Sequence, residues 1–327
     1  MKAPANGIYD GRMPVNAKLQ AILDAAKAAG GPRLETMTVD EARAARAAMV
    51  RRFEPMAEYA SVEEHDRKIS TGGRELAVRV YRPAGTSGTL PVVVFFHGGG
   101  FVLGTLDTHG PYCRALTAEA GVIVLSVDYR LAPEHKFPAG VEDCLAATQW
   151  VLAHVEEVGG DGARLFVAGD SAGATLATVV ALILRDRGEA GKLAGQILLY
   201  PVAAYYDPPT KSYVEMAEGY GLTQKGMQWL WDLYLNQKSE AEDFRAAPLK
   251  AGSLAGLPRA FVVTAEYDVL RDEGQAYARR MQEEGVEVNH VFAQGMNHSF
   301  ACAIDEFPHL PQAKELLRKV AAWIAER

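Results

Sequence analysis

Residues 167–175 read VAGDSAGAT, which places Ser171 between Gly169 and Gly173 in the pattern G-x-S-x-G. Two kinds of site need so little side chain around a serine. A phosphate-binding loop uses glycines so that backbone N–H groups can approach an anion. A nucleophilic serine uses them for a sharp strand-to-helix turn that exposes its hydroxyl. The flanking sequence distinguishes between the two.

The sequence on either side of Ser171 favours the nucleophile. RLFVA at 164–168 is typical of a strand, and ATLATVVALILRDRG at 174–188 is typical of a helix. A phosphate loop would need a lysine at the helix start or the longer G-x-G-x-x-G spacing, and this stretch has neither. Asp170 would also repel a phosphate. We therefore predict that Ser171 is a catalytic nucleophile.

A serine hydroxyl needs a base, and three histidines follow Ser171 in the chain: His290, His298 and His309. His290 lies inside the predicted strand VEVNHVF, and His309 begins the predicted last helix. His298 follows the end of that strand in AQGMNHSF, in a loop at the rim of the sheet. We therefore predict His298 as the base.

The base in turn needs an orienting acid. Asp268 directly follows the predicted strand RAFVVTA, so it lies at the same edge of the sheet as Ser171. Glu266 competes for this role from two residues earlier. Asp272 fits better as a carboxylate at a helix N-terminus. We predict Asp268 as the acid.

Three glycines in FFHGGGFVLG suggest a site for a developing negative charge. They follow a buried strand, so the bare N–H groups of Gly99 and Gly100 can face an oxyanion, together with that of Ala172. Consecutive glycines also suit a flexible loop. His97 precedes the nucleophile, and we expect its side chain to hold the glycine loop through a hydrogen bond.

Strand and helix patterns alternate over most of the chain, which predicts a mostly parallel sheet covered by helices on both faces. EEHDRKIS and RELAVRVYRP, joined by TGG within 63–82, look like an antiparallel pair at one edge. The predicted buried strands are LPVVVFFHGG, GVIVLSVDYR, RLFVAGD, GQILLYPV, RAFVVTAEYD and VEVNHVFAQG.

Two helical regions interrupt this alternation. Residues 1–60 show helical patterns, and residues 203–247 are rich in Tyr, Met and Trp without a strand. We expect both to form a lid over a core made of residues 61–202 and 248–327, because loops at the carboxyl ends of strands form α/β sites. The candidate substrate-binding residues are Phe101, Tyr220, Leu222 and Trp229.

Composition narrows the possible partners of the 327-residue chain. It is 49% hydrophobic and 23% charged, as in ordinary globular proteins, and its net charge is −7. That charge argues against nucleic acid or an anionic membrane as partner. The N-terminus has no apolar signal region and no run could span a bilayer, so we expect a cytoplasmic protein. An exposed edge strand at VEVNHVF would permit a homodimer.

The cysteines predict neither a metal site nor a disulfide. Cys113, Cys144 and Cys302 are odd in number and far apart, and no zinc spacing links them. We expect them to be small buried apolar residues.

Taken together, these motifs resemble the hormone-sensitive-lipase-like branch of the α/β-hydrolases, the bacterial family IV carboxylesterases, from about residue 62 to the end. The resemblance implies an α/β-hydrolase fold with a helical cap and hydrolysis of short- to medium-chain acyl esters without a cofactor. It implies Ser171, Asp268 and His298 as the triad. The matching blocks are HGGGF at 97–101, VDYRLAPEHKFPA at 127–139, GDSAGA at 169–174 and AEYDVLRDEGQAYA at 265–278.

The chain departs from the family pattern at three positions without losing a catalytic group. Ala174 stands where the family has Gly, Val269 where it has Pro, and Ser299 where it has Gly. Within the block at 127–139 and just beyond it, Glu134, His135 and Asp143 fit better as scaffold hydrogen-bonding residues than as catalysts.

Two other functions compete with a small-molecule esterase. An amide or carbamate hydrolase such as an arylformamidase would use the same triad. A ligand-binding module resembling the plant gibberellin receptors would lack the base, whereas this chain has His298 at that position.

Overall fold

The structure, a computed structural model, describes residues 13–50, 57–302 and 310–326. Its centre is an eight-stranded sheet in the order β1-β2-β4-β3-β5-β6-β7-β8. The strands are β1 (Val62–Thr71), β2 (Arg74–Pro83), β3 (Leu90–Phe96), β4 (Ile123–Val127), β5 (Gly160–Asp170), β6 (Gly195–Leu199), β7 (Ala260–Tyr267) and β8 (Val288–Asn297).

The structure describes nine α-helices. They are α1 (Ala17–Ala29), α2 (Val39–Val50), α3 (Leu106–Ala120), α4 (Ala139–Ala153), α5 (Ala172–Asp186), α6 (Lys211–Glu215), α7 (Gln224–Tyr234), α8 (Arg271–Glu283) and α9 (Pro311–Ala325). Helices α3, α4, α5 and α8 connect strands of the sheet and α9 follows the last strand, whereas α1, α2, α6 and α7 belong to the two helical regions outside the strand–helix alternation.

The sheet is parallel from β4 through β8, and β1 and β2 form an antiparallel pair at one edge. This confirms the α/β fold class, the positions of the six predicted strands and the edge hairpin. Five of these strands are buried as predicted, whereas β8 lies at the other edge of the sheet and its first seven residues are exposed or half-buried. Parallel strands need crossover helices, which cover both faces and make the strands apolar throughout.

Alternate residues of β3 pack into different cores. Val92, Val94 and Phe96 join a hydrophobic cluster with α4, α5 and α8, whereas Val93 and Phe95 join a second cluster with α3 and α9. A strand period of two residues places successive side chains on opposite faces. The continuous run LPVVVFF therefore contributes side chains to both hydrophobic clusters. Packing on both faces fixes the carboxyl end of β3.

The carboxyl ends of four strands meet at one edge of the sheet. The glycine loop follows β3, Ser171 follows β5, Asp268 follows β7 and His298 follows β8. In parallel sheets this edge is where sites form, because successive crossovers bring their loops together there.

The N-terminal helices are attached to the core beside this edge. Arg43 on α2 donates to the carbonyl oxygens of Val102 and Ala132, both at 3.0 Å, and pairs with Glu134 at 2.6 Å. At the start of the described chain, Met13 N donates to Glu266 at 3.0 Å and Asn16 N to Gly295 O at 3.0 Å. Residues 13–50 and 203–247 contain no strand. The boundaries of a separate cap stay a prediction.

Several other expectations concern particular side chains. Asp143 is buried and accepts from Arg74 and Arg130, which confirms a scaffold role. Cys113 and Cys144 are buried thiols and Cys302 is half-buried. None of the helices within the described ranges is long and apolar enough to cross a membrane.

The first turn of α5 depends on a missing side chain at Gly173. A Cβ there would overlap the carbonyl oxygen of Phe96 at the end of β3. Backbone cannot move away as a flexible side chain can, so Gly173→Ala must displace the helix from the sheet.

We expect Gly173→Ala to lower the free energy of unfolding by at least about 2 kcal/mol, measured by urea denaturation. The matched control is Gly191→Ala, because a Cβ at Gly191 meets no atom within 4 Å. Equal stability of the two variants would contradict the close approach.

Candidate active site

Ser171, His298 and Asp268 form a continuous hydrogen-bonded chain. The Oγ of Ser171 lies 3.0 Å from Nε2 of His298, and Nδ1 of His298 lies 2.7 Å from Oδ2 of Asp268. All three residues are buried. With its proton on Nδ1, the imidazole donates to Asp268 and accepts from the serine hydroxyl, which is the geometry that a general base requires.

Ser171 owes its position to a tight turn between β5 and α5. Its backbone has φ 53° and ψ −122°, and its N–H donates to Leu199 O at 2.8 Å on the neighbouring strand. A serine in this sparsely populated region is held there by its surroundings. The turn lifts the hydroxyl away from the sheet towards His298.

The competing acid and bases have other partners. Glu266 accepts from Met13 N at 3.0 Å and from Gly295 N at 2.7 Å, so it joins the N-terminal segment to β8. His290 lies on β8 beside the Thr264 hydroxyl, at 2.8 Å. Asp272 accepts from Ser212 N at 2.7 Å and connects α8 to α6. His309 lies outside the described residues.

The glycine loop after β3 has unused backbone donors. Within the described part of the chain, the N–H groups of Gly99 and Gly100 have no hydrogen-bond acceptor. Gly99 has φ 119°, and a Cβ there would overlap the carbonyl of Leu103. The first residue of a helix also has an N–H without an intrahelical acceptor, as at Ala172. These three donors can receive an oxyanion.

His97 supports this loop as predicted. Its Nδ1 lies 2.9 Å from Gly98 O, and its ring stacks on Tyr129 with a centroid distance of 4.4 Å. Burial lowers the pKa of His97 to about 3. The imidazole is therefore neutral and acts as a hydrogen-bond donor to the loop.

Asp170 is a supporting residue that the sequence reasoning missed. It is buried, accepts from Gly98 N at 2.8 Å and lies 3.2 Å from Nε2 of His109. Burial alone would raise the pKa of Asp170, but His109 and the bond from Gly98 outweigh it and lower the pKa. Asp170 therefore stays ionised and fixes the start of the glycine loop.

A cavity of about 340 Å³ opens onto Ser171 and His298. Its lining includes Gly99, Gly100 and Leu103 of the glycine loop, the carboxylate Asp170 and Arg46 of α2. The lining residues from α1, from the helical turn that follows it and from α7 are apolar. They are Leu19, Ile22, Leu23, Leu34, Met227 and Leu230.

Of the four predicted substrate-binding residues, only Leu222 lines this cavity. Phe101 is buried and stacks on Tyr234 at 3.9 Å, so it anchors α7. The Tyr220 ring packs on Tyr267 at 4.9 Å. Trp229 is half-buried and packs against the main hydrophobic cluster. Phe101, Tyr220 and Trp229 are therefore not among the residues that line this cavity, and their roles in substrate binding stay predictions.

The lining residues that were missed carry a helical signal. Met227 and Leu230 repeat at a spacing of three on α7, and Leu19, Ile22 and Leu23 share one face of α1. The 3.6-residue period groups these positions. It does not tell which apolar face covers a core and which lines a cavity.

The departures from the family pattern also have structural positions. Ser299, directly after the base, has φ 68° and lines the cavity. A side chain in this left-handed region costs roughly 1–2 kcal/mol, which a glycine avoids. Ala174 and Val269 are fully buried.

A buried serine paired with a histidine and a carboxylate, facing bare backbone donors, defines a serine hydrolase site. Among the described residues, no three His, Cys, Asp or Glu side chains are grouped to hold a metal ion. Comparison with known proteins narrows this class.

A family model described as the alpha/beta hydrolase fold matches residues 93–302. The carboxylic ester hydrolase LipN of Mycobacterium tuberculosis is 40% identical over 244 residues, 73% of this chain and 64% of LipN. The carboxylesterase NlhH of the same organism is 42% identical over 233 residues, 70% of this chain and 72% of NlhH. The crystal structure of a thermostable esterase from Pseudomonas putida is 39% identical, with a TM-score of 0.91 and coverage of 96% and 98% of the two chains.

The chain therefore belongs to the α/β hydrolase fold family. Its similarity to these enzymes identifies it as a carboxylic ester hydrolase.

Glu273 on α8 is a further buried carboxyl group. Its Oε1 accepts from Ala203 N at 2.9 Å and Ala204 N at 3.2 Å. Burial raises the pKa of Glu273 to about 8, whereas its ordinary value is 4.5. Between these values the folded state binds more protons than the unfolded state, so the free energy of unfolding falls as pH rises from about 4.5 to about 8.

We expect Glu273→Gln, which keeps the acceptor for both N–H groups, to remove this dependence. The stability of wild type relative to the variant should fall by at least about 1 kcal/mol between about pH 5 and pH 8, measured by urea denaturation. Glu283→Gln on the same helix replaces an exposed carboxylate and serves as control. A constant difference across this range would show that Glu273 ionises normally.

Proposed function

We propose that this protein is a serine carboxylesterase that hydrolyses short- to medium-chain acyl esters through an acyl-enzyme intermediate. The observation that carries the proposal is the bonded sequence Ser171–His298–Asp268, with distances of 3.0 and 2.7 Å. It supplies a nucleophile, a base and an orienting acid in the required order.

In the first half of the reaction, Ser171 Oγ attacks the ester carbonyl while His298 Nε2 takes the hydroxyl proton. Asp268 holds the Nδ1 proton and stabilises the imidazolium. The tetrahedral intermediate collapses, and His298 gives its proton to the departing alkoxide, which leaves as the alcohol. Water then repeats the sequence on the acyl-enzyme, and the acid is released with Ser171 restored.

The oxyanion of each tetrahedral intermediate accepts hydrogen bonds from Gly99, Gly100 and Ala172. These donors are fixed before the substrate arrives, because the loop is tied through Gly98 to Asp170 and His97. Loss of one such donor typically costs about 10²- to 10³-fold in kcat.

Cavity size supports short and medium acyl groups. A volume of about 340 Å³ is at the small end of the range for ligand pockets, and its helical walls are apolar. A long acyl chain would leave methylene groups outside these walls. Binding energy for the reacting ester therefore comes from a short apolar acyl or alkyl group.

The same proposal includes a helical cap, a cellular compartment and an oligomeric state. Residues 1–60 and 203–247 form the cap over the cavity, and the protein acts in the cytoplasm on small-molecule esters. Pairing of β8 edges between two copies would form a homodimer. The order β7-β8 at the end of the sheet supports this assembly, because β8 has an unpaired edge within the described residues.

We expect p-nitrophenyl butyrate to be hydrolysed at least about tenfold faster than the palmitate ester, in kcat/KM measured by nitrophenolate absorbance, because only the short chain fits the cavity. Ser171→Ala should lower kcat by about 10⁶-fold, because only the oxyanion donors and substrate binding would still accelerate the reaction. Ser70→Ala changes an exposed serine on β1 and should match wild type.

Equal rates for butyrate and palmitate would contradict the chain-length preference. Full activity in Ser171→Ala would contradict the nucleophile. Faster hydrolysis of a matched p-nitroanilide than of the ester would favour the amide hydrolase instead.

A further inference from the structure

We propose that Arg46 forms a carboxylate-binding position in the active-site cavity, so that esters bearing a carboxylate are preferred over neutral esters of similar size. This inference rests on the esterase function proposed above and adds the substrate class. Recognition by charge is independent of the hydrolytic steps, so the two claims can fail separately.

Arg46 reaches the cavity from α2. It lines the same space as Ser171, His298 and the donor residues Gly99 and Gly100. The residues of α1 and α7 that line this cavity are all apolar. Polar groups are few in such cavities, and each one fixes the orientation of a complementary group on the ligand.

The contrast with Arg43, one turn earlier on α2, shows what is unusual about Arg46. Arg43 satisfies its guanidinium with two backbone carbonyls and Glu134. Arg46 is half-buried, and it forms no hydrogen bond or ion pair with any residue in the described part of the chain. A partly desolvated guanidinium without an acceptor costs free energy, and a ligand oxygen would recover it.

Two buried carboxylates lie at the site, Asp170 in the cavity lining and Asp268 beside His298, and both already have partners within the protein. Asp170 accepts from Gly98 N and lies beside His109, and Asp268 accepts from His298 and Leu270 N. Neither bonds to Arg46. Among the described residues that line the cavity, Arg46 is the one with a permanent positive charge. A carboxylate bound at Arg46 would orient the ester in front of Ser171, because both residues line the same cavity.

Of the groups that an ester substrate can carry, a carboxylate fits an arginine better than a neutral group does. The planar fork of arginine donates two parallel hydrogen bonds to both oxygens, and the apolar walls strengthen the charge interaction. Arg46 also borders a neighbouring cavity of about 430 Å³ that includes Tyr129 and His135. The charged end of a substrate can thus stay partly hydrated while the ester enters the apolar space.

The carboxylate can belong to either half of the ester, and two substrate pairs separate these sources. Monoethyl glutarate against ethyl hexanoate tests a carboxylate on the acyl half. Acetoxyacetate against propyl acetate tests one on the alcohol half. For each pair, kcat/KM is measured by pH-stat titration, and the anionic-to-neutral ratio is the readout. The pair with the larger ratio identifies the half that Arg46 reads.

We expect Arg46→Met to lower the ratio of at least one pair by roughly 10- to 100-fold, because a hydrogen-bonded charge pair is lost. Arg46→Lys keeps the charge without the fork and should fall between Arg46→Met and wild type. Arg33→Met is the matched control: it removes the same charge from an exposed pair with Glu218 on the outer surface, and its ratios should equal those of wild type.

A ratio that Arg46→Met leaves unchanged for both pairs overturns the inference. If the Arg46 variants do not fold, wild type alone decides: its ratio must fall as salt rises from about 0.01 M to about 1 M, over which the Debye length shrinks from about 30 Å to 3 Å. A salt-independent ratio overturns the inference as well. Absence of hydrolysis for all four esters in wild type would instead contradict the esterase function.

Discussion

The close approach of α5 to the end of β3 is the constraint on which the rest of the site depends. Gly173 lies against the carbonyl of Phe96, and no side chain fits between them. This contact forces the tight turn at Ser171, with its φ of 53°, and lets its N–H bond to Leu199 O. The same contact places the serine beside the glycine loop, because that loop begins where β3 ends.

Two buried carboxylates near this turn are each held by hydrogen-bond partners. Asp170 is held by Gly98 N and His109, and Asp268 is held by His298 and Leu270 N. A buried carboxylate needs such partners, because an unpaired ion in the interior is costly. The first pair fixes the oxyanion donors and the second orients the base. Arg46 has no such partner among the described residues, which is why we infer that its charge is met by a ligand.

The locations of the strands along the chain and the positions of Ser171, Asp268 and His298 after them follow from local signals in the sequence. A buried parallel strand needs a continuous apolar run, and a strand-to-helix turn needs small residues. These signals lie within a few residues of each other, so they can be recognised without the tertiary structure. The glycine loop and its support by His97 were recognised in the same way.

The cavity walls could not be predicted with the same success. Phe101, Tyr220 and Trp229 are aromatic residues near the site, yet each packs against the protein itself. Whether a side chain faces a cavity depends on how α1, α2 and α7 sit on the sheet, which is set by long-range packing. The partners of Asp170 and the position of Arg46 at the cavity depend on the same packing, so neither can be predicted from the sequence.

The central claim is that Ser171 is a nucleophile activated by His298, and labelling with a p-nitrophenyl alkylphosphonate tests it most directly. Mass spectrometry of the digested protein should find one adduct, on the peptide that contains Ser171. His298→Ala should slow the labelling rate by at least about 10³-fold, because the hydroxyl loses its base. His290→Ala, on the same strand region, should label at the wild-type rate. An adduct on another residue, or equal labelling rates in His298→Ala and wild type, would contradict the account.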